Sequence, residues 1–385
     1  MDNIFVINDN RKLSSFSKNT FSNYSKKESI KLFENNLILC KHRDACFIGV
    51  ELHLSLYSNI IFEKLFYVST LYTNIEYPNI SNKLFQLYLK YNKIIVNKKI
   101  DYRNSQEVRN ILSNMISIVS ISPKNNNFQL GILSKLNLLD FEPFMLRKNI
   151  KSSNLELTKD MFFLEDSKEF ILVLNEIATL IRDDTDNSTK IFYWISWLVE
   201  FEKKSKKENY ELVLKPKKIE NISEKNSIYW EWNLWNIILN ETHYRNNNEL
   251  YNQIFALYNF YKFNFKKSSR NNYLNYIFHS IYLLKKQIDF SKNPLEKKYD
   301  LIIQSILGNN FFYKTIFEKL DKKYYIEEDK IIKDTLKDDV IKQRIKKDSS
   351  KTINDKNPST QKIILSKKAI EEKEMKKRMQ YLFFN

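Results

Sequence analysis

The sequence predicts an all-α protein, an irregular array of about ten helices with a charged C-terminal tail. Three observations predict it. The 385 residues include only 3 Gly and 6 Pro, against average usage of about 7% and about 5%. Hairpin turns and phosphate-cradling loops lean on glycine, so hairpin-built sheets and nucleotide-binding loops are both disfavoured. Apolar residues, 43% of the chain, recur at helical spacing through most of its length, and short polar runs separate the periodic stretches.

Residues 1–28 are polar and rich in Ser and Asn, which reads as a loose lead-in with a short strand at Ile4–Ile7 at most. A helix follows over Glu28–Cys40, with Ile30, Leu32, Phe33, Leu37 and Leu39 as its apolar positions. The stretch Arg43–Pro78 is the densest piece of specified structure, and Asp44 is a suitable N-cap for its first helix. Apolar residues cover most of that helix, which implies burial on several sides. The remaining stripe is Asp44, Glu51, Ser55 and Ser58, spaced so that the four lie on one line. Further helices are expected over Ile60–Tyr72 and from Asn79 or Ser81 to Tyr91. Asn104 with Glu107 forms a capping box for a helix reaching Val119.

The stretch Ile132–Leu146 is ambiguous because Pro143 breaks any long helix. Ser167 caps an apolar helix over Phe170–Ile181, and the break 183–189 (DDTDNST) joins it to Ile191–Phe201 as a helical hairpin. The charged segment 205–226, containing Pro216, is the best internal linker; it divides a helical domain at 29–204 from one at 227–320. In the second domain helices are expected over Ile228–Leu239, Glu249–Phe260, Tyr273–Lys285, Glu296–Leu307 and Phe311–Leu320. Residues 321–385 read as a charged tail, partly disordered, ending in Tyr381-Leu-Phe-Phe.

The net charge is +17 and the pI near 9.4. Such an excess favours polyanions, DNA or RNA first. Lys greatly outnumbers Arg, the residue of bidentate base recognition, so contact through point charges and independent of base sequence is expected. AT-rich coding also loads a chain with Lys, Asn and Ile, which makes the charge ambiguous as a functional sign. The two cysteines, Cys40 and Cys46, and four histidines exclude a disulfide framework and a Cys-rich zinc site, so no cofactor or metal is expected. The N-terminus has no signal-peptide core, and no segment offers about 20 uninterrupted apolar residues, so a soluble intracellular protein (cytoplasm, nucleus or viral factory) with no membrane association is expected.

Few motifs carry chemistry. The chain has no GxxxxGK[ST], GxGxxG, GxSxG or HExxH, and no glycine is followed by Lys, so an enzyme is not expected. All 5 Trp fall between Trp194 and Trp235. The pairs Trp194/Trp197 and Trp232/Trp235 each share a helix face, either as a stacking platform or interface, or as core where two helices meet. The run 261–273 interleaves aromatics with Lys262, Lys266, Lys267 and Arg270, a candidate phosphate-tracking loop or simply a solvated one. Lys376, Lys377 and Arg378 are further candidate polyanion contacts in the tail. His53 on its apolar helix reads as a core histidine. The carboxylate-rich 183–189 lacks the Gly and the terminal Glu of a calcium loop.

One stretch carries a family likeness. Residues Glu51-Leu52-His53-Leu54-Ser55, then Lys64-Leu65, then Thr70 through Pro78 are similar to the start of the helical C-terminal region of replication-associated recombination ATPases of the MgsA/RarA/WHIP type, which are related to clamp loaders. Glu51, Leu52, His53, Ser55, Leu65 and Pro78 fit the pattern, whereas Leu71, Tyr72, Asn74 and Ile75 replace the family's acidic, glycine-containing turn. The likeness covers 43–78 alone, with no ATPase domain ahead of it. It implies a helical collar or oligomerisation module used around replication forks. The expected function is therefore a non-enzymatic DNA-associated accessory protein of replication or recombination, binding polyanion through basic surface. The alternative is a structural or scaffold protein, for example of a large DNA virus, acting through protein–protein contacts or self-association.

Overall fold

The computed structural model describes residues 5–73, 75–97, 101–125, 133–152 and 154–318, and the expected charged tail at 321–385 lies outside them. The protein is all-helical, as its glycine-poor, helically periodic sequence predicts. The α-helices are α1 (Lys26–Ile38), α2 (His42–Leu54), α3 (Ser58–Val68), α4 (Ile80–Asn97), α5 (Gln106–Ile121), α6 (Pro143–Asn149) and α7 (Lys168–Arg182). They continue as α8 (Ser188–Lys207), α9 (Trp230–Tyr244), α10 (Asn248–Asn264), α11 (Leu274–Lys285), α12 (Tyr299–Leu307) and α13 (Asn309–Glu318). Among the described residues there is no β-strand, only an isolated bridge between Asn19 and Ser25. None of the described helices is long and apolar enough to cross a membrane.

The chain divides into two compact units, and not where the charged segment suggests. Unit 1 draws on Met1–Leu65, Lys90–Ile121 and Lys297–Asn385, and unit 2 on Phe66–Leu89 and Ser122–Glu296. The segment 205–226 is no linker. Its first residues finish α8, and beyond them Val213 accepts from the Ser167 N–H and donates its own N–H to Ser167 Oγ, both at 2.9 Å. Lys215 N donates to Asp166 Oδ1 at 2.7 Å, and Leu214 is buried. Ser167 does precede α7, but its hydroxyl is engaged by this passing segment and not by the helix end. The second expected domain also ends early, at Glu296, because α12 and α13 pack on α5 and α2 within unit 1.

Unit 1 is organised around α2, which lies against α1, α5 and α13. The approach to α5 depends on Gly49: a Cβ there would stand 2.4 Å from Ile116 Cδ1 and 3.4 Å from Phe33. His53 is fully buried and its Nδ1 sits 2.5 Å from the Tyr313 hydroxyl of α13. Burial, reinforced by Arg109 and Arg103, pushes its pKa down to about 3, so the imidazole is neutral. It is a core histidine.

The N-terminal segment is not loose. Ile7, Phe16 and Phe21 are buried, and Ile7 exchanges hydrogen bonds with the Asn104 side chain at 2.6 and 2.9 Å. Asn104 thus serves the N-terminal segment and does not form the capping box expected of it, while α5 starts at Gln106. Two buried arginines pin the same segment: Arg109 donates to Phe5 O at 2.7 Å, and Arg103 bonds the carbonyls of Asp9 and Leu54 and the Asp101 carboxylate.

Unit 2 takes in α6 and the first part of α4 with α7–α11, in which α7 lies against α8 and α9, and α10 against α9 and α11. Its core is aromatic. Phe66 stacks on Phe260 at 3.8 Å, and Tyr261 meets both Trp232 and Trp235 within 5.7 Å.

Candidate nucleic-acid interface

The residues singled out from sequence separate sharply in the structure. Trp194, Trp197, Trp232 and Trp235 are 3%, 1%, 1% and 0% exposed, so they are core, and the surface stacking platform is not available. The indole N–H groups of Trp197 and Trp232 donate inward, to Asp140 O at 2.9 Å and Asn226 O at 2.7 Å. Apolar rings at helical spacing on facing helices are drawn together by burial.

The 261–273 run splits likewise. Arg270 is buried, with Nε donating to Glu231 Oε1 at 2.6 Å, its terminal nitrogen bound to Glu202, and Tyr229 under the guanidinium at 4.4 Å. A guanidinium held by two carboxylates and an aromatic face is not offered to a phosphate. Lys262 is largely buried, 3.7 Å from Glu220 and 5.3 Å from the Tyr258 ring. Lys266 and Lys267 remain exposed. Lys376, Lys377 and Arg378 lie outside the described residues.

The expected polar stripe is broken, since α2 ends at Leu54 and Ser58 begins α3, but Glu51, Ser55 and Ser58 all turn inward. Glu51 and Ser55 are 0% exposed and Ser58 is 5% exposed. Glu51 accepts from Ser22 N at 2.6 Å and Ser22 Oγ at 2.7 Å, and Ser55 Oγ accepts from Phe21 N at 2.7 Å. Glu51 and Ser55 thus dock the chain at residues 21–22. Burial holds the Glu51 carboxyl above its usual range. Asp44 lies in the first turn of α2, where a carboxylate suits the helix dipole, and Lys41 occupies the cap position expected of it.

The surface that fits an anion is elsewhere, on α8. This helix runs on to Lys207, well past Phe201, and so carries Lys203, Lys204, Lys206 and Lys207 on its last two turns. Residues 200, 203, 204 and 207 share one face. That face lines a cleft of about 600 Å³ whose opposite wall includes Leu133, Lys135, Leu138 and Phe141. The cleft holds four lysines against Glu200 and Glu208. Lys203 pairs with Glu200 at 2.6 Å, a solvent-exposed pair that a phosphate can displace cheaply, and the partly buried Lys204 approaches Glu208 at 3.9 Å. Phe141 is backed by Trp197, at 5.7 Å, and Lys204 stands 5.4 Å from its ring, so a partly exposed ring braced by a buried indole sits among the cations. Cationic groups beside an aromatic face are the elements of sequence-independent nucleic-acid contact.

A second cleft, about 660 Å³, has Asp140, Glu176 and Asp183 against Lys151 and Lys190. Its acids are spent locally: Glu176 accepts from the N–H groups of Lys151 and Ser152, and Asp183 from Thr185 N. Acid outnumbers base there, and an anion is not favoured. The run EKKSKK at 202–207 signals the α8 lysines, but a helix ended at Phe201 leaves them beyond its end, Lys206 and Lys207 in the expected linker, without a common face. No family model, curated protein or solved structure matches this chain.

Proposed function

We propose that this chain is a non-enzymatic accessory protein that binds nucleic acid independently of base sequence, through the lysine-rimmed cleft beside α8. The observation that carries the reading is four lysines converging with Phe141 on one cleft of a chain of net charge +17. A setting in replication or recombination rests on the likeness of residues 43–78 to the helical region of recombination ATPases.

The test is fluorescence anisotropy with a short labelled single strand across a salt series. Binding at about 50 mM salt is expected, with an affinity that falls linearly on a log–log plot. Replacing Lys135, Lys203, Lys204 and Lys207 with Gln is expected to reduce the salt slope by roughly 3, about 0.7 for each phosphate of a single strand no longer neutralised. Absence of binding at low salt, where electrostatic affinity is greatest, would sink the proposal and leave a scaffold role. One observation favours that second reading. In unit 1 the apolar helix α12 exposes Leu301 and Leu307 at 46% and 77%, beside Phe311 at 57%, the kind of surface used in protein–protein contact.

A further inference from the structure

We infer that a small aromatic slot on the other side of α8 takes a single nucleobase from the bound strand. The inference rests on the nucleic-acid reading above and adds what is held there. Residues 202, 205 and 206 point about half a turn away from the cleft face of α8. They line an opening of about 270 Å³, below the roughly 300–1,000 Å³ of pockets for drug-sized ligands and suited to one flat ring.

Of its aromatic lining residues Phe170, Tyr229 and Trp230 are buried and form its floor, and Tyr210, half-exposed, is the ring offered at its surface. Lys206 and Lys267 stand at the mouth, both exposed. Glu202, the carboxylate in the lining, is neutralised by Arg270 and by Lys206 at 2.7 Å, so it remains a hydrogen-bond acceptor without repelling a phosphate. The exposed Tyr210 ring suits the π-face of any base, the two lysines suit its flanking phosphates, and the Glu202 oxygens suit an exocyclic amine. Lys203 lines the cleft and Lys206 the slot; 54% and 66% exposed, they are i,i+3 neighbours on the surface of α8. A strand whose phosphates follow the cleft lysines across this ridge brings a base to the slot.

The test compares two oligonucleotides of about 12 nucleotides, an oligodeoxycytidylate and an abasic strand of the same length and charge, at about 50 mM salt. The full chain is expected to bind the base-bearing strand roughly tenfold more tightly than the abasic one, the effect of one stacked base. Ile228→Trp, at an exposed lining position, plugs the mouth without changing charge. It is expected to bring the base-bearing strand down to abasic affinity and to leave the abasic affinity unchanged. Tyr210→Ala, which removes the half-exposed ring of the lining, is expected to abolish most of the preference while leaving the abasic affinity unchanged. A ribo-oligonucleotide arm decides between DNA and RNA. Equal affinity of the wild type for both strands, or a plugged variant that keeps the preference, overturns the slot and leaves polyanion binding standing. Failure of both strands to bind overturns both.

Discussion

The two units solve the same problem, an acid buried in a helical core, by opposite means. In unit 1, Glu51 is satisfied by neutral donors, the N–H and hydroxyl of Ser22, brought in by a chain segment laid along α2. In unit 2, Glu231 is met by a cation, Arg270, which also holds Glu202. The difference follows from packing. Around α2 small residues let helices and backbone come close, as Gly49 shows against Ile116, so main-chain groups can reach the carboxylate. Around α9 the space is taken by indoles and phenols, and a long guanidinium reaches where backbone cannot. A buried acid is therefore no guide to catalysis until its donors are counted.

Breaking the unit 2 arrangement should have the largest effect. Arg270→Ala removes the cation shared by the acids Glu202 and Glu231 and is expected to cost about 3–5 kcal/mol. A shift of the urea midpoint at unchanged slope measures it. Adding Glu202→Gln and Glu231→Gln to an Arg270→Met background should recover much of the loss, since the penalty is chiefly that of uncompensated charge. Recovery would be absent if Arg270 acted through packing alone.

The close approach in unit 1 can be broken next. Gly49→Ala is expected to cost about 1–3 kcal/mol through overpacking. The atom met is the end of the Ile116 side chain, so Ile116→Val, which removes that methyl, should relieve most of the strain. Additive thermal shifts in the double-mutant cycle would mean that the two side chains do not meet.

The smallest effect, a change in pH dependence, sharpens the comparison. Burial, opposed by Arg270 and reinforced by Glu202, raises the Glu231 carboxyl from 4.5 to about 7. A carboxyl whose folded value lies above its unfolded value favours folding when protonated. Its contribution is therefore full below about 4.5 and is lost as the pH rises through about 7. Glu231→Gln should flatten the stability profile across that window, as read from chemical denaturation at several pH values. An unchanged profile would assign the slope to other groups.

Much of the fold was legible because helix formation is local. Apolar spacing marks α1, α7, α10 and α11 to within a few residues of their observed ends. Glu51 and Ser55 sit one turn apart as the helical repeat requires, whereas Ser58 does not continue their line, because α2 ends at Leu54 and Leu56, at φ 64°, turns the chain into α3. What buried polar residues face is not local. Glu51 meets a serine 29 residues earlier, Arg270 a glutamate 68 residues earlier, and His53 a tyrosine 260 residues later. The α8 lysines were hidden by a misplaced helix end, since a charged run at a helix terminus looks the same as a linker until its backbone is seen.

The sequence by itself determined that this chain is helical, basic and aromatic-rich, because these are properties of composition and of contacts within a few residues. Only the tertiary structure decided which charges lie inside and which remain outside. Arg270 and Lys267 belong to the same short run, yet one completes the core and the other rims a slot. That choice depends on the carboxylates and rings brought to each position from distant helices, and no local pattern encodes it.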